Sequence, residues 1–238
     1  MNSKGKIYLV PTVIAEGALA TIPPSVEEAL KQINHFLVED IRTARRYLSS
    51  LKIYKNIESL HFSLLNKDTS RSAIKEMFDP VFNGHHLGVL SESGCPGVAD
   101  PGALAAAFAH EHDIEVIPLV GPSSILLALM ASGLNGQQFA FHGYLPIDPK
   151  EAAHKIKQLE KESREKNQTQ IFIETPYRNN QILKNLLQSL AGNTHLCLAF
   201  NLTGQTGFVK MKSVSEWKKE VPSLAKEPAV FLFLAEMN

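Results

Sequence analysis

A chain of 238 residues with 44% hydrophobic and 20% charged residues can bury one large core or two modest ones without disulfides or metals. Its 24 Lys and Arg balance its 24 Asp and Glu, which excludes a strong nonspecific hold on nucleic acid or an anionic membrane but leaves room for a local basic patch. Cys95 and Cys197 are too few for a disulfide framework. The start lacks a basic segment followed by an apolar run, and no apolar stretch nears the roughly 20 residues of a membrane span, so a cytoplasmic location is expected.

Strand-like apolar runs occupy 7–10, 36–39, 60–65, 87–91 and 115–119, with helical segments between them. That alternation predicts a mostly parallel sheet covered on both faces. Ser25 stands three residues before Glu28 with capping-box spacing, and Val26, Leu30 and Ile33 follow as apolar positions, so a helix is expected to start there. After Gly121 the order changes. A nearly all-apolar helix over 123–131 is expected to lie buried between layers or domains. Strands follow at 139–144 and 170–174. Between them Asp148, Pro149 and Glu151 supply an N-cap, a first-turn proline and a capping-box acid for a long charged helix ending before Gln168. Its six basic and four acidic residues over 150–166 read as a solvated face. A helix over 178–191 has Gly192 placed to end it. Strands at 195–202 and 208–214 are joined by five residues, a hairpin connection. Trp217 is expected to pack the last helix on the core, and a strand at 229–236 closes the chain. The fold class is therefore α/β in two domains: 1–120 with a mostly parallel sheet, and 121–238 with a mixed one.

Two loops carry the chemistry. Ser91-Glu92-Ser93-Gly94-Cys95-Pro96-Gly97-Val98-Ala99-Asp100-Pro101-Gly102 follows a buried-type strand, at the sheet edge where ligands bind in open α/β sheets. Its three glycines and two prolines fix a tight loop whose backbone can approach a ligand, or one that only turns the chain. Val120-Gly121-Pro122-Ser123-Ser124 also joins a strand to a helix, where the serines either cap the helix or, with its free N–H groups, favour an anion. The nine histidines show no metal-ligand spacing, and His85-His86 reads as a turn.

Taken together with Ile7-Tyr8-Leu9-Val10-Pro11-Thr12, Glu39-Asp40-Ile41-Arg42, Phe141-His142-Gly143-Tyr144-Leu145-Pro146 and Glu174-Thr175-Pro176-Tyr177-Arg178, these loops resemble the tetrapyrrole-methylase family of S-adenosylmethionine-dependent methyltransferases. Within it the chain is most similar to the branch that methylates a ribose 2′-hydroxyl of small-subunit ribosomal RNA. The resemblance implies two α/β domains with the cofactor in the cleft between them, and a homodimer; no metal is expected, since metal-ligand spacings are absent. It implies cofactor contacts at Pro11, Val13 and Ile14; at Gly94, Cys95 and Val98; at Ser123, Ser124 and Ile125; and at Thr175, Phe200, Asn201, Pro228 and Ala229. The chain departs from that branch at Val13-Ile14-Ala15-Glu16-Gly17, where a Gly-Asn-Leu-type turn is usual. It departs again at Asn201-Leu202-Thr203-Gly204, where a Glu-Leu-Thr-Lys run is usual, so a charged pair is missing.

Methyl transfer from a sulfonium is an in-line displacement that an enzyme promotes by positioning and by excluding water. A hydroxyl acceptor must also lose its proton to a base within hydrogen-bond reach. Asp40 and Asp100 are the candidate bases, with Arg42 and Arg178 as anchors for phosphate or substrate. Each has a structural alternative: Asp100 as a cap for the helix after Pro101, Asp40 and Arg42 as an ion pair. Tyr177 either stacks on a ring or packs at the domain junction. Methylation of a tetrapyrrole or other small molecule, and a cofactor-binding module without catalysis, are the competing functions.

Overall fold

The computed structural model describes residues 4–236. The chain forms two compact units, Met1–Ser123 and Ser124–Asn238.

The first unit is built on five parallel strands, β1 (Ile7–Val10), β2 (His35–Val38), β3 (His61–Leu64), β4 (Leu87–Leu90) and β5 (Val116–Pro118), in the order β3-β2-β4-β1-β5. Alternation along each strand divides the side chains between two cores. Tyr8, Val10, Phe36, Val38 and Leu90 face α1 (Pro24–Leu30) and α2 (Ile41–Ser50). Ile7, Leu37, Leu87 and Val89 face α3 (Arg71–Met77), the short α4 (Asp79–Phe82) and α5 (Gly102–Glu111). The chain leaves β1 towards β2 and leaves neighbouring β4 towards β5, so the two connections depart on opposite faces. The crevice beyond the carboxyl ends of β1 and β4 is the switch point where ligands bind in sheets of this kind.

The second unit holds β6 (Phe139–Tyr144), β7 (Thr169–Glu174), β8 (His195–Phe200), β9 (Phe208–Ser213) and β10 (Ala229–Leu234) in the order β6-β7-β10-β8-β9. Only β6 and β7 are parallel, so this sheet is mixed. One face packs on α7 (Pro149–Lys166), α8 (Asn179–Ser189) and α9 (Val214–Trp217), the other on α6 (Ser124–Ser132). Asp148 caps α7 by accepting from the N–H groups of Lys150 and Glu151. Trp217 is buried and its Nε1 donates to Leu196 O.

Four local expectations need correction. Ser25 lies inside α1 rather than capping it: Pro24 takes the first helical position, where its fixed φ and missing N–H cost nothing, and Pro23 precedes it in extended conformation. Gly192 does not end α8, which stops when Leu190 turns extended. It lies against Ser215 instead, where a Cβ would collide with the hydroxyl, and its carbonyl accepts from Ser215 N at 2.9 Å. The β8–β9 connection has seven residues, 201–207, because Asn201 enters the left-handed region (φ 44°) and leaves the ladder two residues early. Helix α6 is not buried all round: Ile125, Ala128 and Leu129 are, but Leu126 and Met130 are exposed.

Candidate active site

The loops after β1, β4 and β5 close on one another through backbone groups and short side chains. Thr12 N donates to Gly94 O at 2.9 Å, Thr12 Oγ1 to Ser91 O, and Ser91 Oγ to Gly94 O. Gly94 sits at φ +77°, and a Cβ there would stand 3.2 Å from Pro122 O and 4.0 Å from Ile14 Cγ1. Gly121 lies so close to the Pro11 ring that no side chain fits between them. Cys95 Sγ reaches Pro122 O at 3.4 Å, and burial raises its thiol pKa, which keeps it a neutral packing group. Pro11, Val13, Ile14, Gly94 and Cys95 thus share one edge of the first unit with Gly121 and Pro122. Val98 is exposed farther along the β4 loop.

Beside this edge lies a cavity of about 420 Å³, beyond the ends of β1, β2 and β4. Its walls are Val13, Leu19, Val38, Ala44, Tyr47 and Leu90, and Glu16, Glu39, Asp40, Arg46 and Glu92 bring charge to it. Tyr47 spans it from α2, donating its hydroxyl proton to Pro11 O at 2.8 Å, and burial drives that phenol well above its usual range.

The acidic groups divide by what already occupies them. Asp40 is the N-cap of α2: one oxygen accepts from Thr43 N at 2.7 Å, and that bond holds its carboxyl below the usual range. Asp100 Oδ1 accepts from Gly97 N at 2.5 Å and Gly102 N at 2.7 Å, bracing the loop into α5. Glu39, the first residue past β2, is half-buried. Burial and then the charge of Asp100 push it up to about 7. Sequence reasoning passed over Glu39 for its neighbour, although Asp three residues before Thr43 at the start of a helix already marked Asp40 as a cap.

Against this geometry, the family model for tetrapyrrole (corrin/porphyrin) methylases matches residues 6–212. The chain belongs to that family. Curated relatives named ribosomal RNA small subunit methyltransferase I place it on the ribosomal RNA branch. The one from Buchnera aphidicola (Acyrthosiphon pisum) is 30% identical over 91% of this chain and 74% of its own length, and the one from Vibrio cholerae 32% identical over 85% and 66%. A solved structure of uroporphyrin-III C-methyltransferase from Thermus thermophilus, complexed with S-adenyl homocysteine, shares the fold. Its TM-score is 0.58 at 14% identity, covering 96% of this chain and 97% of that one.

In this methylase the second unit gathers its own set at the ends of β7, β8 and β10. Ala229 pairs with Phe200 and with Glu174, Asn201 N donates to Pro228 O at 2.8 Å, and Thr175 N donates to Glu174 Oε1. Ser124 and Ile125 open α6. Arg178 is engaged twice, by the buried Glu174 carboxylate at 3.1 Å and by Pro146 O at 3.2 Å. Arg42 is exposed on the first turn of α2, and Tyr177 is 81% exposed with the Lys226 ammonium over its ring.

Proposed function

We propose that this methyltransferase moves a methyl group from S-adenosylmethionine to a ribose 2′-hydroxyl of small-subunit ribosomal RNA, as a homodimer in the cytoplasm. The observation that carries the reading is the backbone-lined edge made by the loops after β1, β4 and β5 at the switch point of a parallel sheet, in a chain of the methylase family. Gly94 and Gly121 keep side chains off that edge, and Val13 and Ile14 supply apolar contact. Such a surface of peptide groups and small apolar side chains fits a nucleoside with a cationic sulfonium. Pro11, Val13, Ile14, Gly94 and Cys95 would hold it in the first unit, and Thr175, Phe200, Asn201, Pro228 and Ala229 are the candidates from the second.

The bound cofactor supplies an activated methyl group. The chain's own residues supply position and dryness: the Thr12–Ser91–Gly94 bonds fix the loops relative to one another, and the apolar walls around Tyr47 exclude water. Among the described residues no helix is long and apolar enough to cross a membrane.

The test is transfer of labelled methyl from S-adenosylmethionine into RNA, protein and small-molecule pools from cells lacking the gene. We expect label in small-subunit ribosomal RNA, recovered as a 2′-O-methyl nucleoside. Label confined to a tetrapyrrole, with none in ribosomal subunits or naked ribosomal RNA, decides for the small-molecule reading.

A further inference from the structure

A methyl-accepting hydroxyl needs a proton acceptor, and the cavity at the ends of β1, β2 and β4 has several oxygens near it. Tyr47 is spent on Pro11 O and stays protonated. Asp40 is spent on the amide of Thr43, and Asp100 on those of Gly97 and Gly102. Glu92 is exposed on the β4 loop and Glu16 on the β1 loop, the latter 4.0 Å from Arg46. Glu39 alone of these carboxyls is half-buried in the cavity wall with only a long approach, 3.4 Å, from a backbone N–H, that of Glu92. The charge of Asp100 also acts on it.

We propose that Glu39 is a catalytic residue of this enzyme, the base that accepts the proton of the acceptor hydroxyl. The proposal rests on the methyltransferase reading above. As the hydroxyl oxygen bonds to the methyl carbon and the carbon–sulfur electron pair stays with sulfur, the proton passes to the Glu39 carboxylate and from there to water. Burial and the charges of Asp100 and Glu92 disfavour the charge of Glu39, the backbone N–H of Glu92 favours it, and the balance leaves Glu39 half-ionised at about pH 7. A base tuned to the working pH combines a useful ionised fraction with a useful proton affinity. Asp40, Thr43 and Arg46 of α2 and Tyr47 beside them complete the surroundings.

The experiment measures single-turnover transfer to small ribosomal subunits against pH, together with a carboxyl-labelled glutamate NMR titration, for the wild-type chain, Glu39→Gln and Asp100→Asn. The wild type is expected to gain rate up to about pH 7 and then level, with one glutamate carboxyl titrating near that pH. Glu39→Gln should lose that resonance and about a hundredfold or more in rate, with S-adenosylhomocysteine affinity held. Asn at 100 can still accept the two loop amides through its side-chain oxygen, so Asp100→Asn should keep the loop while moving both the rate limb and the resonance to lower pH. Full activity in Glu39→Gln, an unmoved limb in Asp100→Asn, or lost S-adenosylhomocysteine affinity in a folded Glu39→Gln each overturns the proposal while the reading above stands. No transfer to RNA by the wild type overturns both.

Discussion

At Gly94 conformation and close approach coincide. The residue occupies left-handed backbone, and its missing Cβ leaves Pro122 O and Ile14 in place around it. Gly94→Ala is expected to cost about 1–2 kcal/mol from the left-handed backbone alone. If the loop shifts to relieve the contact, S-adenosylhomocysteine should bind about tenfold more weakly, a loss near 1.4 kcal/mol. Calorimetry on a folded variant checks this, and unchanged affinity would reduce the loop to a turn. Its glycines and prolines, placed after a buried-type strand, made this loop stand out in the sequence. It did not separate Glu39 from Asp40, because successive residues past a strand end turn to different sides, and which one faces the cavity depends on where β2 stops and α2 begins. Strand β2 ends at Val38 and Asp40 is drawn into the cap, so the carboxyl left for chemistry belongs to the residue between them.

The same limit applies to whole elements. The parallel sheet of the first unit was legible because its strands are short apolar runs, fully buried in β4 and nearly so in β1 and β2, separated by amphipathic helices. The second unit's mixed pairing was legible from a glycine-bearing connection too short for a crossover. Where the β8–β9 turn begins was not, because Asn201 leaves the ladder through a tertiary bond: its Nδ2 donates to Thr206 Oγ1 at 2.8 Å, and its amide to Pro228 O. The departure from the Glu-Leu-Thr-Lys run is therefore a turn closed on itself, with Gly204 packed against the Asn201 side chain. A Cβ on Gly204 would stand 2.5 Å from Asn201 Oδ1 and 2.7 Å from its Cγ. Gly204→Ala is expected to break the part-buried Asn201–Thr206 bond and cost about 0.5–1.5 kcal/mol. A lower urea midpoint at unchanged slope would register it, whereas an unchanged midpoint would mean that the turn accommodates the methyl by moving.

At the scale of the whole molecule, neutrality decides how an RNA substrate can be held. With 24 charges of each sign, there is no overall field to draw in a polyanion, so phosphate contacts must come from local clusters. Helix α2 carries one. Arg42, Arg45 and Arg46 are exposed on it, Arg46 lines the cavity that contains Glu39, and Arg45 lies over the Phe62 ring at 5.5 Å. Arg178 is different in kind, since Glu174 and Pro146 already engage its guanidinium. The two groups should therefore fail in different ways. Arg42→Gln and Arg45→Gln should each weaken binding to small-subunit RNA and reduce the slope of log affinity against log salt by about 0.7 to 0.9, the share of one phosphate contact. Cofactor affinity and unfolding should be unchanged by either. Arg178→Gln removes the partner of a buried carboxylate, so it should lower the unfolding temperature and leave the salt slope intact. Filter binding over a salt series, paired with thermal unfolding, separates the outcomes. A slope that ignores the α2 arginines but falls with Arg178→Gln would move the phosphate contacts from the first unit to the second.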